Sequence, residues 1–133
     1  YPREKFRKKL IQLLSRIQET KADVAVIELG ASPLEPYNGD IAFEELKDSV
    51  KCTVLCASDP YAVYGVMKSF KLKPDIVSGI ATNTYAGAEL IEKLCGVKAL
   101  NLIDPDTSEE LREILSGKLG IKLEIFQQEE ESV

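Results

Sequence analysis

The sequence contains no histidine. That removes Ser-His-Asp and Cys-His catalysis and every metal site that depends on imidazole. No apolar run approaches the roughly 20 residues that a membrane-spanning helix needs. The N-terminal stretch 1–20 is charged throughout, which leaves no room for the apolar core of a signal peptide. Two phosphate-binding patterns are also missing: there is no G-x-x-x-x-G-K-S/T run, and no G-x-G-x-x-G after a strand. Cysteine is scarce, with only Cys52, Cys56 and Cys95. An odd count without a secretory signal argues for reduced thiols and a cytoplasmic setting. Cys52 and Cys56 sit in an apolar strand-like run, where cysteine usually acts as a small buried hydrophobe. Their C-x3-C spacing is no metal pair, since alternation turns both toward one sheet face.

What is present suits one globular domain. The chain has 133 residues, 44% apolar and 29% charged, enough to bury a useful core and too apolar for disorder. The net charge of −5 is uneven. Residues 1–21 hold seven Lys or Arg against Glu4 and Glu19, a net +5, which leaves −10 for the rest. An acidic body argues against nucleic acid as a partner. The basic first helix reads best as a solvated face, with contact to an acidic partner as the second reading.

The apolar pattern alternates between strand and helix. Phe6, Leu10, Leu13, Leu14 and Ile17 predict an amphipathic helix from Pro2 to about Thr20. Asp23–Leu29 reads as a buried strand, and Gly30 to Gly39 as a long turn-rich loop. Asp40 is expected to cap a helix to about Val50. Strands are then expected at Lys51–Ala57, Asp75–Ile80 and Val97–Ile103, with a last edge strand over Ile121–Phe126. Between them fall three helices: one capped by Ser58 or Asp59, one stopped by Gly96, and one opened by a Thr107–Glu110 capping box. Residues 127–133 read as a polar, acidic, flexible tail. Four alternations at a spacing of roughly 25 residues predict right-handed βαβ units. The expected fold is therefore a three-layer α/β/α domain over residues 1–133, with a mostly parallel sheet of four to five strands, Rossmann-like or P-loop-like.

Open α/β sheets bind ligands outside the carboxyl ends of their strands. The candidate ligand-binding residues are accordingly Gly30, Ser32, Asn38 and Asp40 after the first strand, and Ser58 and Asp59 after the second. The third strand adds Thr82, Asn83 and Thr84, and the fourth Asp104. Each has an ordinary alternative, since Ser58, Asp59 and their like cap helices and Gly, Pro and Asn form turns. The first loop stands out because it is longer than such a connection needs. Glu28 is the candidate metal ligand. A carboxylate near the end of an apolar strand needs an explanation, either magnesium or a salt bridge to a neighbouring lysine.

These residues carry a resemblance. Val24-Ala25-Val26-Ile27-Glu28-Leu29-Gly30-Ala31-Ser32-Pro33 resembles the strand and glycine turn that hold the magnesium-associated acid in P-loop ATPases of the dethiobiotin-synthetase-like group. Val77-Ser78-Gly79-Ile80-Ala81-Thr82-Asn83 looks like their later strand, whose Asn contacts the nucleotide base. Asp104-Pro105-Asp106 falls where those proteins place a proline-bearing loop over the base. The resemblance covers roughly residues 22–107 and lacks the phosphate-binding loop. It implies a nucleotide with magnesium as cofactor, with Glu28 near the metal, Asn83 near the base, and Gly30 and Ser32 near the phosphates. It further implies either that the missing loop lies upstream of Tyr1 in a longer protein, or that the scaffold has lost hydrolysis. The chain alone is then not catalytically complete. The expected partner is a nucleotide or small phosphorylated ligand, with a second copy or an N-terminal domain as the expected protein partner. Nucleic acid and membrane are not expected. The competing reading is a non-catalytic regulatory or assembly module. A dinucleotide enzyme is disfavoured by the missing glycine fingerprint.

Overall fold

The computed structural model describes residues 2–30 and 35–124. The chain divides into two compact units, Tyr1–Val50 and Lys51–Val133.

In the first unit, α1 (Arg3–Glu19) begins after Pro2, whose fixed φ of −59° suits a helix start. None of its residues is fully buried. Helix α2 (Gly39–Leu46) packs against it and buries Ile41, Ala42 and Leu46. It starts two residues earlier than the sequence suggests. Asn38 is the N-cap, in a left-handed conformation with φ of 65°, and Asp40 lies inside the first turn. Asparagine tolerates that conformation better than most side chains.

The expected strand Asp23–Leu29 does not form. Residues 22–30 are exposed and carry no strand pairing, and Val26 is 96% exposed. Its apolar composition fits a strand, but a strand exists only when a second edge completes its hydrogen bonds.

The second unit holds the sheet. Strand β1 (Val54–Cys56) pairs in parallel with β2 (Ile76–Ser78), which pairs in parallel with β3 (Lys98–Ala99). The register sets Leu55 opposite Val77 and Val77 opposite Ala99. Two backbone bonds extend the ladder, Ala57 N–H to Ser78 O at 3.0 Å and Leu100 N–H to Val77 O at 2.9 Å. The described residues thus form an α/β unit on a three-stranded parallel sheet ordered β1-β2-β3. Each observed strand is shorter than its apolar run, and residues 121–124 form no strand. The rest of the expected last strand, and the tail 127–133, lie outside the described residues.

Helices α3 (Pro60–Phe70) and α4 (Tyr85–Cys95) are the two crossovers. Sequential parallel neighbours joined by right-handed crossovers place both helices on one face. The core agrees, since Val63 of α3 and Ile91 of α4 pack with Val77, Val97, Ala99 and Ala81. Burying a side chain such as Ile91 contributes about 1.5–3 kcal/mol. The central strand β2 is buried at every residue, whereas β1 is half open, which leaves Cys56 exposed rather than buried as expected. Gly96, with φ of 63°, closes α4 as expected.

Helix α5 (Ser108–Leu119) is tied to the amino ends of the strands by two ion pairs, Glu110 to Lys98 at 2.7 Å and Lys118 to Asp75 at 2.6 Å. The expected Thr107–Glu110 capping box is absent. The Thr107 hydroxyl instead donates to the carbonyls of Asn101 at 2.8 Å and Asp104 at 2.9 Å, and Glu110 turns to Lys98.

Candidate functional site

Parallel strands point their carboxyl ends the same way, so the segments after β1, β2 and β3 emerge along one edge, roughly 4.8 Å apart from strand to strand. Hydrogen bonds stitch these segments together. Ala81 N–H donates to Ala57 O at 3.0 Å, joining the second segment to the first. The Thr82 hydroxyl donates to Gly79 O at 2.9 Å and to Leu100 O at 3.2 Å, joining the second to the third. Leu102 N–H reaches the buried Ser78 Oγ at 3.3 Å.

Gly79 makes the closest of these approaches workable. Its φ is +89°, and a Cβ there would lie 2.8 Å from Ala57 O and 3.0 Å from Ala57 N. Only glycine accepts both the dihedral and the contact.

Six of the expected ligand-binding residues share this edge: Ser58, Asp59, Thr82, Asn83, Thr84 and Asp104. Most already have structural work. Asp59 Oδ1 accepts from the N–H groups of Tyr61 and Ala62, both at 2.9 Å, and Oδ2 accepts from the Ser58 hydroxyl at 2.8 Å. The Ala62 N–H, then the Ser58 hydroxyl and the Tyr61 N–H, hold the Asp59 carboxyl below the usual carboxylate range. Thr84 accepts from Gly87 N–H at 3.1 Å, and Asp104 from Asp106 N–H at 3.0 Å. Thr82 is buried and ties two segments together. Asn83 differs from all of these. It is exposed between the short 3-10 turn Ile80–Thr82 and the start of α4, with no side-chain partner among the described residues.

The remaining candidates belong to the first unit. Asp40 is held by Arg3 in a two-pronged ion pair at 2.7 and 3.3 Å. The guanidinium outweighs the opposing effect of desolvation and lowers the Asp40 carboxyl. Asn38 is buried at the start of α2 and positions that helix. Gly30 and Glu28 are exposed in the unpaired segment, with nothing near the Gly30 Cα on its open side. Ser32 lies outside the described residues.

Glu28 does not build a magnesium site by itself. It stands in water rather than in an apolar strand, which removes the desolvation argument for a compensating cation. No group of three metal-ligating side chains occurs among the described residues. Magnesium held by one carboxylate also needs substrate phosphates or waters to fill its octahedron.

The sequence reading missed the apolar members of the edge. Tyr61, Ile80, Tyr85 and Ile103 are each more than 70% exposed, and each lies between the end of a strand and the first turn of the helix that follows it. The legible signal was their position, with an aromatic residue in the first turn of both crossover helices. A cleft of about 630 Å³ opens at the opposite, amino end, between α5 and the starts of β2 and β3. The satisfied pairs Lys118–Asp75 and Lys98–Glu110 line it. It is remote from the carboxyl edge.

Comparison with protein-family models, with curated proteins and with solved structures finds no match.

Proposed function

We propose that this chain is a nucleotide- or phosphometabolite-binding α/β domain, the C-terminal part of an ATPase-like protein and not catalytically complete alone. The observation that carries this reading is Asn83. It stands exposed and unpartnered at the carboxyl edge of a parallel sheet, while its polar neighbours are consumed by helix caps. Ligands of open α/β sheets bind at that edge. On this reading the sheet grows to four or five strands in a Rossmann-like or P-loop-like layout within the complete protein, which acts in the cytoplasm. Glu28, Gly30 and Ser32 then serve the metal and phosphates together with groups from the rest of that protein.

The test is a thermal-shift screen of the chain with ATP, GTP and NAD, each with and without magnesium. A ligand at 100-fold its dissociation constant adds about 2.7 kcal/mol of stability. Asn83→Ala is expected to weaken that response at least tenfold in affinity while leaving the circular dichroism spectrum unchanged. Unaltered affinity in Asn83→Ala removes Asn83 from the site.

A second reading has its own support. The exposed apolar run Val24–Leu29 is what an assembly module presents to a partner. A flat response to every nucleotide favours that regulatory or assembly role.

A further inference from the structure

An open sheet has two outer strands, and each presents a row of main-chain N–H and C=O groups with no neighbouring strand. The two outer strands of this sheet, β1 and β3, are finished differently.

Strand β3 is guarded. Leu100 turns its N–H to β2, so alternation turns that of Ala99 away from the sheet. There the Ala99 N–H donates to Glu92 Oε1 at 3.2 Å. Lys98 adds a charge to the strand, held by Glu110 at 2.7 Å and Glu92 at 3.5 Å. Charged side chains on an outer strand discourage further pairing.

Strand β1 has no such guard. The Thr53 carbonyl accepts from the N–H groups of Asp75 and Ile76, and Ala57 N–H donates to Ser78 O, so Thr53 and Ala57 turn their main chain to β2. Alternation turns Leu55 the same way and Val54 and Cys56 outward. No strand lies beyond them among the described residues. Residues 52–58 hold no charge and no proline, and the side chains of Val54 and Cys56 are exposed. An unbroken apolar run is the composition of an inner strand of a parallel sheet rather than of an outer one.

The first unit holds the complementary half. Val24-Ala25-Val26-Ile27-Glu28-Leu29 has three β-branched residues, no proline and one charge, the make-up of a strand. Val24, Val26, Ile27 and Leu29 are all exposed, and residues 22–30 meet no strand among the described residues of their own chain.

We infer that two copies of this chain dimerise by strand exchange, with residues 24–29 of each copy pairing along the outer side of β1 in the other. Strand addition gains main-chain hydrogen bonds and covers apolar side chains in one step. Each copy gives one strand and receives one, so the exchange closes at two. Glu28 then places a charge on the new outer strand, which discourages further growth. The inference rests on the assembly reading above and is independent of nucleotide binding.

The test is sedimentation equilibrium of the full chain from about 1 μM to 1 mM, with amide hydrogen exchange followed at both ends of that range. The mass is expected to rise from monomer to dimer. The amides of residues 24–29 are expected to exchange at least about tenfold more slowly in the dimer. The double variant Val26→Pro, Ile27→Pro removes two adjacent N–H groups, one of which faces the ladder, and is expected to weaken association at least about tenfold. Both residues are exposed and lie outside every helix and strand, so the circular dichroism spectrum of the monomer stays unchanged. A monomer at every concentration overturns the inference and leaves the nucleotide reading standing. A dimer whose 24–29 amides exchange as fast as in the monomer also overturns it, as does a dimer that the double substitution leaves intact.

Discussion

Replacing Gly79 by alanine tests whether the carboxyl edge is built as described. Two penalties add at that position. The φ of +89° lies where an L side chain is strained by roughly 1–2 kcal/mol. The new Cβ would sit 2.8 Å from Ala57 O, inside van der Waals contact, and that carbonyl accepts the Ala81 N–H. Its neighbours are backbone atoms rather than a flexible side-chain tip, so relief means shifting the link between β1 and β2. Overpacking of this kind destabilises by about 1–3 kcal/mol. The expected loss for Gly79→Ala is therefore about 2–5 kcal/mol. That is a large fraction of the 5–15 kcal/mol typical of a whole domain. Urea denaturation followed by circular dichroism reads it as a fall in midpoint at unchanged slope. Gly65→Ala is the internal control. It lies within α3 with nothing within 4 Å of the added Cβ, and alanine is the better helix former, so stability is expected to rise by roughly 0.5–1 kcal/mol. Opposite signs for the two glycines support the geometry. A Gly79→Ala variant within about 0.5 kcal/mol of the parent refutes it.

Thr82→Val keeps the side-chain shape but deletes the hydroxyl that joins Gly79 O to Leu100 O. We expect a loss of about 1–2 kcal/mol, with faster amide exchange at the strand ends, in the same urea assay. Acid sensitivity should trace in part to Asp75. Burial pushes its carboxyl up, but Lys118 and the Thr53 N–H, at 2.8 Å, outweigh it, and the net shift is downward. A carboxyl lowered by folding binds fewer protons in the native state than when unfolded. Its contribution is complete above the unfolded value of about 3.9 and is lost as pH falls through the folded one. Midpoints measured downward from pH 6 are expected to fall more steeply for the parent than for Asp75→Asn, and identical slopes would dismiss the pair as a stability device.

The alternation of strand and helix was legible wherever local signals were strong. Asp59 ahead of Pro60 marks the start of α3 by an acceptor and a ring that already has helical φ, and both are properties of neighbouring residues. Thr84 and Gly96 bound α4 for the same reason. The second unit is accordingly recognisable from residues 51–119 with no partner in view. Where the sequence reading departs from the structure, the deciding contact is distant. Asp40 reads as a cap until Arg3, 37 positions earlier, takes its carboxylate. Thr107 reads as half of a capping box until the Asn101 carbonyl, six residues back, claims its hydroxyl.

Asp23–Leu29 shows the limit most clearly. Its apolar residues satisfy the local grammar of a buried strand, yet a strand is a relation between two chain segments, and the described residues supply it no second edge. The same reasoning separates the candidate ligand residues. The sequence alone determined which residue types follow each strand, because period and turn chemistry are local. Only the tertiary structure decided which of them were spent on helix amides and which, like Asn83, stayed open to a ligand. Hydrogen-bonding capacity is finite, and its allocation depends on the groups that folding brings within 3 Å or so of each side chain.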